Sequence, residues 1–365
     1  MPSNGGLEAT PASHGDTSSG WLPEVSVVLP IRNEARHIEA CLERLIAQDY
    51  PREHLEIIVV DGQSEDGTQD VVRRVQCRHP DVHLRLLDNP QRTVPHAMNV
   101  GIRAARGAVI VRMDGHAVPT DDYVSRCVAA LSTSSAANAG GVFVAKGITP
   151  FGEAVAVATE HPIGAGDAKY RIGGVAGDAD TVPYGAFRRE VFETVGLYDE
   201  SLVRNQDYEL NVRIRGAGER IYFDPAIRCT YTPRGTVRSL WSQYFQYGWW
   251  KVETVRRHPS SLRWRQMVPP TFVASVLALG LMAPWWTLGA LAFWLAIGAY
   301  LITVFAVSYR IARPRATPLH VLVAFGVIHG AWSLGFLLNV ATNGRFPYRA
   351  RAPAVPRLTA GETRT

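Results

Sequence analysis

The sequence predicts an α/β fold, in which a mostly parallel sheet carries helices on both faces, followed by helices that cross a membrane. Short apolar strand patterns alternate with helical patterns from about residue 25 to 135, an order that is typical of parallel sheets. Residues 266–309 contain no Asp, Glu, Lys or Arg, and uncharged segments of this length and apolarity are typical of membrane helices. The net charge of +5 is also unevenly distributed along the 365 residues.

The charge distribution separates an acidic body from two basic segments. Residues 1–227 hold 22 basic and 31 acidic side chains, a net charge of −9. Residues 228–265 and residues 310–365 each hold 8 basic side chains and 1 acidic side chain, a net charge of +7 apiece. An acidic body argues against nucleic acid as a partner. Basic residues that flank apolar segments favour contact with anionic membrane lipids.

The strand and helix patterns follow one another at short intervals. The predicted strands are 25–30, 56–60, 83–87 and 108–113, and the predicted helices are 35–47, one that ends near 76, 94–106 and 206–216. In a parallel sheet, ligands bind beyond the carboxyl ends of the strands, so the polar residues after each strand are the candidates for function. Residues 138–182 are rich in Gly and Ala, and only a helix near 152–160 is predicted there.

Three apolar segments each approach the ~20 residues that are needed to cross a bilayer. They are 267–283, 287–309 and 318–341. Eight of the nine tryptophans lie at or beyond Trp241, as expected for aromatic rings that anchor at a membrane interface. We therefore predict about three transmembrane helices within 266–342, the alternative being buried helices of a second soluble domain.

The segments around these helices complete the predicted organisation. Residues 1–22 are polar, lack the apolar core of a signal peptide, and are expected to form a disordered leader. Residues 23–235 would form the catalytic domain and residues 236–265 an amphipathic, basic and aromatic membrane-interface segment. Residues 343–365 form a basic tail. The four cysteines contain no Cys-x-x-Cys pair, so no zinc or redox motif is indicated.

The topology of the third apolar segment stays open. The first two segments would form a hairpin, which leaves the arginines that follow it on the side of the N-terminal domain, as the positive-inside rule requires. A third full crossing would put the Arg-rich tail on the other side, against that rule. Either the segment at 318–341 re-enters, or the tail is an exception.

Two of the strand ends carry acidic residues whose chemistry suits nucleotide binding. Asp61 directly follows the second strand and could accept the imide N–H of a uracil ring, or it could be a turn residue that caps the next helix. Ser64 and Asp66 favour helix capping. Asp114 and His116 follow the fourth strand, and one carboxylate with one imidazole would suit Mn²⁺ at least as well as Mg²⁺ where the ion bridges phosphates.

Asp207 opens the helix predicted at 206–216. A carboxylate at that place favours the helix dipole, so capping and general-base catalysis are both open for it. The chain has no P-loop and no Gly-x-Ser-x-Gly elbow, and Arg32 to Glu34 stand where a dinucleotide fingerprint would follow the first strand. These absences argue against an ATPase, a hydrolase and a dehydrogenase.

Five ordered motifs complete the pattern. They are Val27 to Glu34 (VVLPIRNE), Val59 to Thr68 (VVDGQSEDGT), Ala97 to Gly101 (AMNVG), Met113 to Ala117 (MDGHA) and Gln206 to Leu210 (QDYEL). From residue 25 to about 258, the chain resembles the family 2 glycosyltransferases, whose GT-A fold binds nucleotide sugars. The sequence departs from the family pattern at three places, with Gly62 and His116 each in place of a second Asp and Gln206 in place of a Glu.

The resemblance implies a role for each matching residue. The residues expected to bind the donor are Pro30, Arg32, Asn33, Glu34, Asp61, Ser64, Asn99 and Asp114. The metal would be Mn²⁺ or Mg²⁺ on Asp114 and His116, and the catalytic base would be Asp207. The acceptor-side residues would be Asp180, Gln206, Gln243 and Trp250.

Within the family, the Asp-x-His signature and the 243–251 segment are similar to those of bacterial succinoglycan-type glucosyltransferases. The resemblance implies an inverting transferase that moves a sugar, such as glucose from a UDP-sugar, to a lipid-linked acceptor at the bacterial inner membrane, with its catalytic domain in the cytoplasm. The alternatives within the enzyme class are a processive polysaccharide synthase and a polyprenyl-phosphate sugar transferase. The alternative from another class is an inactive scaffold of an export complex that binds nucleotide sugars.

Overall fold

A computed structural model describes residues 21–345 and contains a nine-stranded sheet surrounded by helices. The predicted leader and most of the basic tail lie outside these residues. The strands are β1 (Val25–Ile31), β2 (Leu55–Asp61), β3 (His83–Asp88), β4 (Val109–Arg112), β5 (Val118–Pro119), β6 (Asn138–Ala145), β7 (Gly177–Asp178), β8 (Ala186–Arg188) and β9 (Ile221–Tyr231). The order across the sheet is β3-β2-β1-β4-β8-β6-β9-β5, with β7 also paired to β9.

The first four strands form the parallel half of the sheet. β1 pairs in parallel with both β2 and β4, and β2 pairs in parallel with β3. β1 is buried along its whole length, because helices cover both faces of this half. The four strands predicted from the sequence are all present, with ends shifted by no more than one residue.

The other half of the sheet is mixed and was not predicted in detail, but most of the paired residues in the sheet are parallel, as expected. β8 runs antiparallel to both β4 and β6, while β6 and β9 run parallel to each other. β9 is one continuous strand, and its pairing with β6 is irregular at Gly141. A Cβ at Gly141 would collide with the carbonyl oxygens of Asp224 and Ile227, so the close approach of the two strands requires glycine.

Thirteen α-helices occur in the described part of the chain. They are α1 (Ile38–Ile46), α2 (Thr68–Arg78), α3 (Val94–Ala104), α4 (Tyr123–Ser134), α5 (Pro150–Thr159), α6 (Pro162–Ala165), α7 (Lys169–Ile172), α8 (Glu190–Val195), α9 (Gln206–Gly216), α10 (Val237–Arg257), α11 (Trp264–Met282), α12 (Thr287–Ile311) and α13 (Pro318–Thr342). Two hydrophobic cores lie on the two faces of the sheet. The helix predicted near 152–160 is α5, and the helix predicted at 206–216 is α9.

The C-terminal helices differ in how they meet the rest of the molecule. Within residues 21–345, α12 and α13 each contain an 18-residue stretch with the length and apolar composition of a membrane span. Only 6% of that stretch is buried in α12, whereas 50% is buried in α13. The span predicted at 267–283 falls on α11, which contains Pro269 and Pro270, and its crossing of a membrane stays a prediction.

The backbones of α10 and α13 are in close contact where the two helices pack. A Cβ on Gly335 of α13 would collide with the carbonyl oxygen of Phe245, and a Cβ on Gly248 of α10 would collide with that of Trp332. Small residues at such a crossing let two helix backbones approach closely. Asn339 closes the contact, since its side-chain amide donates to the Trp249 carbonyl at 3.1 Å.

We predict that Gly335→Val lowers the free energy of unfolding by about 1–3 kcal/mol, the usual cost of overpacking a tight contact. Gly326→Ala on the same helix is the matched control, because nothing lies within 4 Å of a Cβ at that position. Thermal unfolding in detergent micelles measures both. Equal melting temperatures for the two variants would mean that α13 does not pack on α10 in this way.

Candidate active site

The loops that follow β1 and β2 are hydrogen-bonded to each other. The Asn33 amide N–H donates to Ser64 Oγ at 2.8 Å, and the Glu65 amide N–H donates to Asn33 Oδ1 at 2.9 Å. The Glu34 amide N–H donates to Thr68 Oγ1 at 2.8 Å. Asn33 has a φ of +57°, a left-handed conformation that Asn tolerates better than most residues. These contacts fix the two strand-end loops, which we expect to bind the donor, as one unit.

Ser64 and Asp66 therefore do more than cap a helix. The residue that precedes α2 is Gly67, and no side chain caps the helix from that position. Ser64 instead bridges Asn33 and Asp61. Asp66 accepts the Thr68 N–H at 3.1 Å, as a capping residue would, and also the Ala35 N–H at 3.1 Å.

Asp61 is buried, with 1% of its surface exposed. Its carboxylate accepts hydrogen bonds from Ser64 N–H at 3.0 Å, from Ser64 Oγ at 2.5 Å and from Gln69 Nε2 at 2.6 Å. In this structure Asp61 thus organises its own loop. A contact between Asp61 and uracil stays a prediction, and it would use the remaining acceptor capacity of the two oxygens.

Arg112, the last residue of β4, lies between two acidic residues that are far apart in sequence. Its Nη2 is 3.1 Å from Asp114 Oδ1, and its Nη1 forms an ion pair with Asp207 Oδ1. The Arg112 side chain is 6% exposed, whereas Asp114 is 24% and Asp207 is 33% exposed. One buried guanidinium thus holds the predicted metal-binding carboxylate and the predicted base together, with both carboxylates facing solvent.

The surroundings of Arg112 keep it charged. Burial alone would lower the pKa of the guanidinium, but the charge of Asp114 and the nearby hydroxyls of Tyr198 and Tyr184 raise the pKa above its usual value. Burial, followed by the charge of Asp114, raises the pKa of Tyr184, which keeps its hydroxyl protonated. A buried charge needs such partners, because removing a cation from water without them is costly.

His116 contacts the loop after β1. Its Nδ1 lies 2.9 Å from Glu34 Oε1, and this hydrogen bond raises the pKa of His116. A ring nitrogen bound to a carboxylate is the usual arrangement of a metal-ligating histidine, since it orients the other nitrogen toward the ion. Within residues 21–345, no group of three or more His, Cys, Asp or Glu side chains forms a metal cluster. Asp114 and His116 are still a suitable pair for an ion that takes its other ligands from phosphates.

Asp207 lies in the first turn of α9. The residue before the helix, Asn205, has a φ of +60° and makes no side-chain cap, and Asp207 pairs with Arg112 instead of capping. The neighbouring Tyr208 donates its hydroxyl to the Ser261 carbonyl at 2.8 Å. Lys251 of α10 donates to the same carbonyl at 2.9 Å and lies 4.0 Å from the centre of the Tyr208 ring. The first turn of α9 is thus held by Arg112 of β4 through Asp207, and by Lys251 and Ser261 through Tyr208.

Lys251 is itself an unusual residue, because it is buried with 4% of its surface exposed. Burial, together with the positive charge of Arg215, lowers the pKa of Lys251 to about 7. Its hydrogen bond to Ser261 connects α10 to the segment that leads into α11.

Asn99 lies beneath the site rather than in it. Its side-chain amide donates to the Tyr198 carbonyl at 2.9 Å and to Glu200 Oε1 at 2.9 Å, and its oxygen accepts the Tyr198 N–H at 2.9 Å. With 2% exposure, Asn99 fixes the 198–200 segment, and its predicted donor contact would be indirect. Gly101 lets α3 approach β1, since a Cβ there would collide with Val28.

The four predicted acceptor-side residues lie on α9, on α10 and on the segment between β7 and β8. Asp180 forms an ion pair with Arg263 and lies 4.0 Å from Arg215 and 3.9 Å from Arg265, so it connects the catalytic domain to the start of α11. Gln206 is buried at the start of α9. Gln243 and Trp250 lie half-buried on α10. Their contacts with an acceptor stay predictions.

Arg112 is the residue that sequence reasoning missed. It ends a strand of otherwise apolar residues, VIVR, and a charged residue in a buried strand is a signal that a partner of opposite charge lies nearby. The partner Asp207 is 95 positions away in the chain, so no local pattern indicates which residue pairs with Arg112.

The α/β sheet, the hydrogen-bonded strand-end loops, the two carboxylates on Arg112 and the apolar C-terminal helices together agree with a glycosyltransferase of the GT-A class. The model of glycosyl transferase family 2 matches residues 26–196. The succinoglycan biosynthesis protein ExoA of Rhizobium meliloti (strain 1021) is 32% identical over 320 residues, covering 85% of this chain and 93% of the relative. The chain belongs to glycosyl transferase family 2.

Two further proteins are similar over most of the chain. A dolichyl N-acetyl-alpha-D-glucosaminyl phosphate 3-beta-D-2,3-diacetamido-2,3-dideoxy-beta-D-glucuronosyltransferase of Methanococcus voltae is 27% identical over 261 residues, covering 70% of this chain and 80% of the relative. The structure of a mannosyltransferase from Pyrobaculum calidifontis, solved with GDP-Man and Mn²⁺, has a TM-score of 0.64 at 23% identity. That likeness covers 90% of this chain and 89% of the other. It confirms the predicted GT-A fold.

We predict that Arg112→Gln lowers kcat of sugar transfer by about tenfold or more, because it releases Asp114 and Asp207 from their common partner. Arg112→Lys keeps the charge and should restore part of kcat. Steady-state kinetics on both variants, with thermal unfolding as a check on folding, measures this. If the Lys variant folds and is as slow as the Gln variant, the planar guanidinium is what matters, and the charge alone does not suffice. Wild-type kcat in a folded Gln variant would contradict the positioning role.

Proposed function

We propose that this glycosyltransferase transfers a sugar from a UDP-sugar, such as UDP-glucose, to a lipid-linked glycan acceptor at a membrane, with inversion at the anomeric carbon. The observation that carries the proposal is the arrangement around Arg112, which brings Asp114 and Asp207 to one solvent-facing edge of the sheet. Sugar transfer with inversion needs a group that holds the donor diphosphate and a base that faces the acceptor. Asp114 would help to hold the diphosphate, and Asp207 would be the base.

Asp207 would act as the general base. A base must lie within hydrogen-bond reach of the proton that it removes, and Asp207 is the more exposed of the two carboxylates on Arg112. It would accept the proton of the acceptor hydroxyl while the oxygen attacks the anomeric carbon from the face opposite the leaving diphosphate. Because the ion pair with Arg112 holds the Asp207 side chain in place, the carboxylate is oriented before the substrates bind.

Asp114 and His116 would hold the metal ion, with Glu34 orienting the imidazole ring. A divalent cation at this place offsets the negative charge that builds on the leaving diphosphate. The Mn²⁺ in the related Pyrobaculum structure is bound by that protein, and it supports the choice of Mn²⁺ as the first ion to test. The linked loops after β1 and β2 would hold the nucleoside.

The acceptor is proposed to be lipid-linked. Large apolar side chains lie exposed along α11 and α12, among them Leu277, Leu281, Leu291 and Ile302, and this supports membrane association. The Methanococcus voltae relative is named for transfer to a dolichyl N-acetyl-alpha-D-glucosaminyl phosphate, which supports a lipid-linked acceptor, and the Rhizobium meliloti relative is named for succinoglycan biosynthesis. Confining enzyme and acceptor to one surface raises their effective concentration.

We predict that Asp207→Asn abolishes sugar transfer, with a loss of at least a hundredfold, while UDP binding and folding are retained. The measurement is release of UDP from UDP-glucose in membranes that contain lipid-linked acceptor. The control is Glu65→Gln, because the Glu65 side chain is exposed. Glu209, which is closer in sequence to Asp207, is unsuitable because it is buried and pairs with Arg213. Turnover near the wild-type value in Asp207→Asn would contradict the assignment of the base.

We predict that UDP binds the wild-type protein more tightly with Mn²⁺ than without it, and that Asp114→Ala removes this difference. Titration calorimetry with UDP and, for comparison, GDP measures both the metal dependence and the choice of nucleotide. Asp121→Ala is the control, since it removes an exposed carboxylate that pairs with Arg44. Full transfer activity in a chelator would contradict a metal-dependent reaction, and UDP release without any transfer would favour the scaffold alternative.

A further inference from the structure

The first turns of α13 are attached to the catalytic domain. Arg315, which precedes the helix, donates to Glu153 at 2.6 Å and to Glu160 at 2.5 Å, at the two ends of α5. Further along α13, His329 Nε2 lies 2.8 Å from the carbonyl oxygen of Ile163, at the start of α6. Apolar residues of α5 and of this half of α13 share one hydrophobic cluster.

The last turns of α13 are attached to the same domain through α10. Asn339 binds both the Trp249 carbonyl, at 3.1 Å, and Glu253 Oε1, at 2.9 Å. Arg256 donates to the Asn339 carbonyl at 3.3 Å. Glu253 and Arg256 lie on α10 just before Arg257. The Arg257 guanidinium lies 3.8 Å from Asp199 of the catalytic domain.

α10 in turn lies along the catalytic domain and does not project from it. Arg204 donates to Gln246 at 3.2 Å, and Asn205 donates to the Tyr247 carbonyl at 3.4 Å. α13 therefore contacts elements of one water-soluble domain at its first turns, in its middle and at its last turns. A helix of 25 residues is about 37 Å long at 1.5 Å per residue, which exceeds the ~30 Å hydrocarbon core of a bilayer.

If α13 crossed the bilayer, the ion pairs of Arg315 with α5 and the hydrogen bonds of Asn339 with α10 would have to lie on opposite membrane surfaces. The catalytic domain contains α5 and also binds α10 through Arg204, Asn205 and Asp199, and one domain cannot occupy both sides. We infer that α13 does not cross the membrane, and that the α11–α12 hairpin is the segment that does. α13 then lies on the catalytic side of the bilayer, between the domain and the base of the hairpin. This inference rests on the membrane association in the proposed function.

The hairpin has the surface that lipid requires. α11 has 19 residues and α12 has 25, which correspond to about 28 Å and 37 Å. Exposed apolar side chains lie along both helices up to the turn between them, where Trp285 is 86% exposed. Tryptophan at the end of a span is typical of a membrane interface.

Both ends of the hairpin return to the catalytic domain. At the start of α11, Arg263 pairs with Asp180 and Arg265 pairs with Asp167. At the end of α12, Arg310 and Arg313 are exposed beside the domain-bound Arg315. With two crossings, all of these arginines and the residues that follow α13 lie on one side, as the positive-inside rule requires. The conflict that three crossings would create for the basic tail is thereby removed.

Cysteine labelling of the full-length protein in sealed membrane vesicles tests the inference. Of the four cysteines, Cys77 on α2 is exposed and the other three are buried, so Cys77 reports the side on which the catalytic domain lies. Two variants in a Cys77→Ser background place the single exposed cysteine elsewhere. Ala341→Cys marks the end of α13, and Thr287→Cys marks the turn of the hairpin, both at exposed positions. The probe is a membrane-impermeant maleimide, applied before and after permeabilisation.

We expect the Ala341→Cys site to be labelled to the same extent as wild-type Cys77 in intact vesicles, and the Thr287→Cys site to be labelled from the opposite side. In inverted vesicles, wild-type Cys77 and the Ala341→Cys site should react at once, and the Thr287→Cys site should react only after permeabilisation. Labelling of the Ala341→Cys site from the side of the Thr287→Cys site would overturn the inference. So would labelling of the Thr287→Cys site from the side of Cys77, because the hairpin would then not cross.

The same experiment separates this inference from the membrane association that it needs. If the chain remains in the supernatant after ultracentrifugation and all three sites react without permeabilisation, the proposed membrane association itself is wrong. The Cys77→Ser protein without an added cysteine gives the background from Cys41, Cys127 and Cys229. UDP release by each variant shows that the labelled protein is folded.

Discussion

The buried guanidinium of Arg112 is the interaction on which the site depends. It ends β4, the strand at which the parallel half of the sheet meets the antiparallel strand β8. Its two ion pairs reach Asp114, in the loop just beyond, and Asp207, at the start of α9. Without this cation the two carboxylates would have no common partner at the sheet edge. Burial strengthens the attraction because the local dielectric constant is low.

The rest of the structure holds α9 and the strand-end loops in place around that contact. Asn99 fixes the segment before α9, and Lys251 with Tyr208 fixes the first turn of the helix against α10. α10 carries α13 on its other side through Gly248 and Gly335. The base is thus supported by the same helix that connects the catalytic domain to the apolar helices.

The local patterns in the sequence were sufficient for the parallel half of the fold. The strands at 25–30 and 56–60 and the helix at 206–216 were predicted because buried strands are continuously apolar and because Gly marks the end of a helix. The mixed half of the sheet was not predicted. Its strands β6 to β8 lie in a Gly- and Ala-rich region without a clear period, and their pairing is fixed by close contacts such as that of Gly141 with β9.

By itself, the sequence determined the α/β class, the edge of the sheet where polar residues gather, the candidate carboxylates and the apolar character of the C-terminal helices. Each of these follows from composition and period within a short window, or from the resemblance that the ordered motifs carry. Only the tertiary structure decided that Asp114 and Asp207 share Arg112, that Asp61 and Asn99 are internally hydrogen-bonded, and that α13 lies against the catalytic domain. The physical reason is that, apart from the local contacts of Asp61, these contacts join residues separated by up to 166 positions. A one-dimensional pattern carries no information on which distant partner satisfies a buried charge or amide.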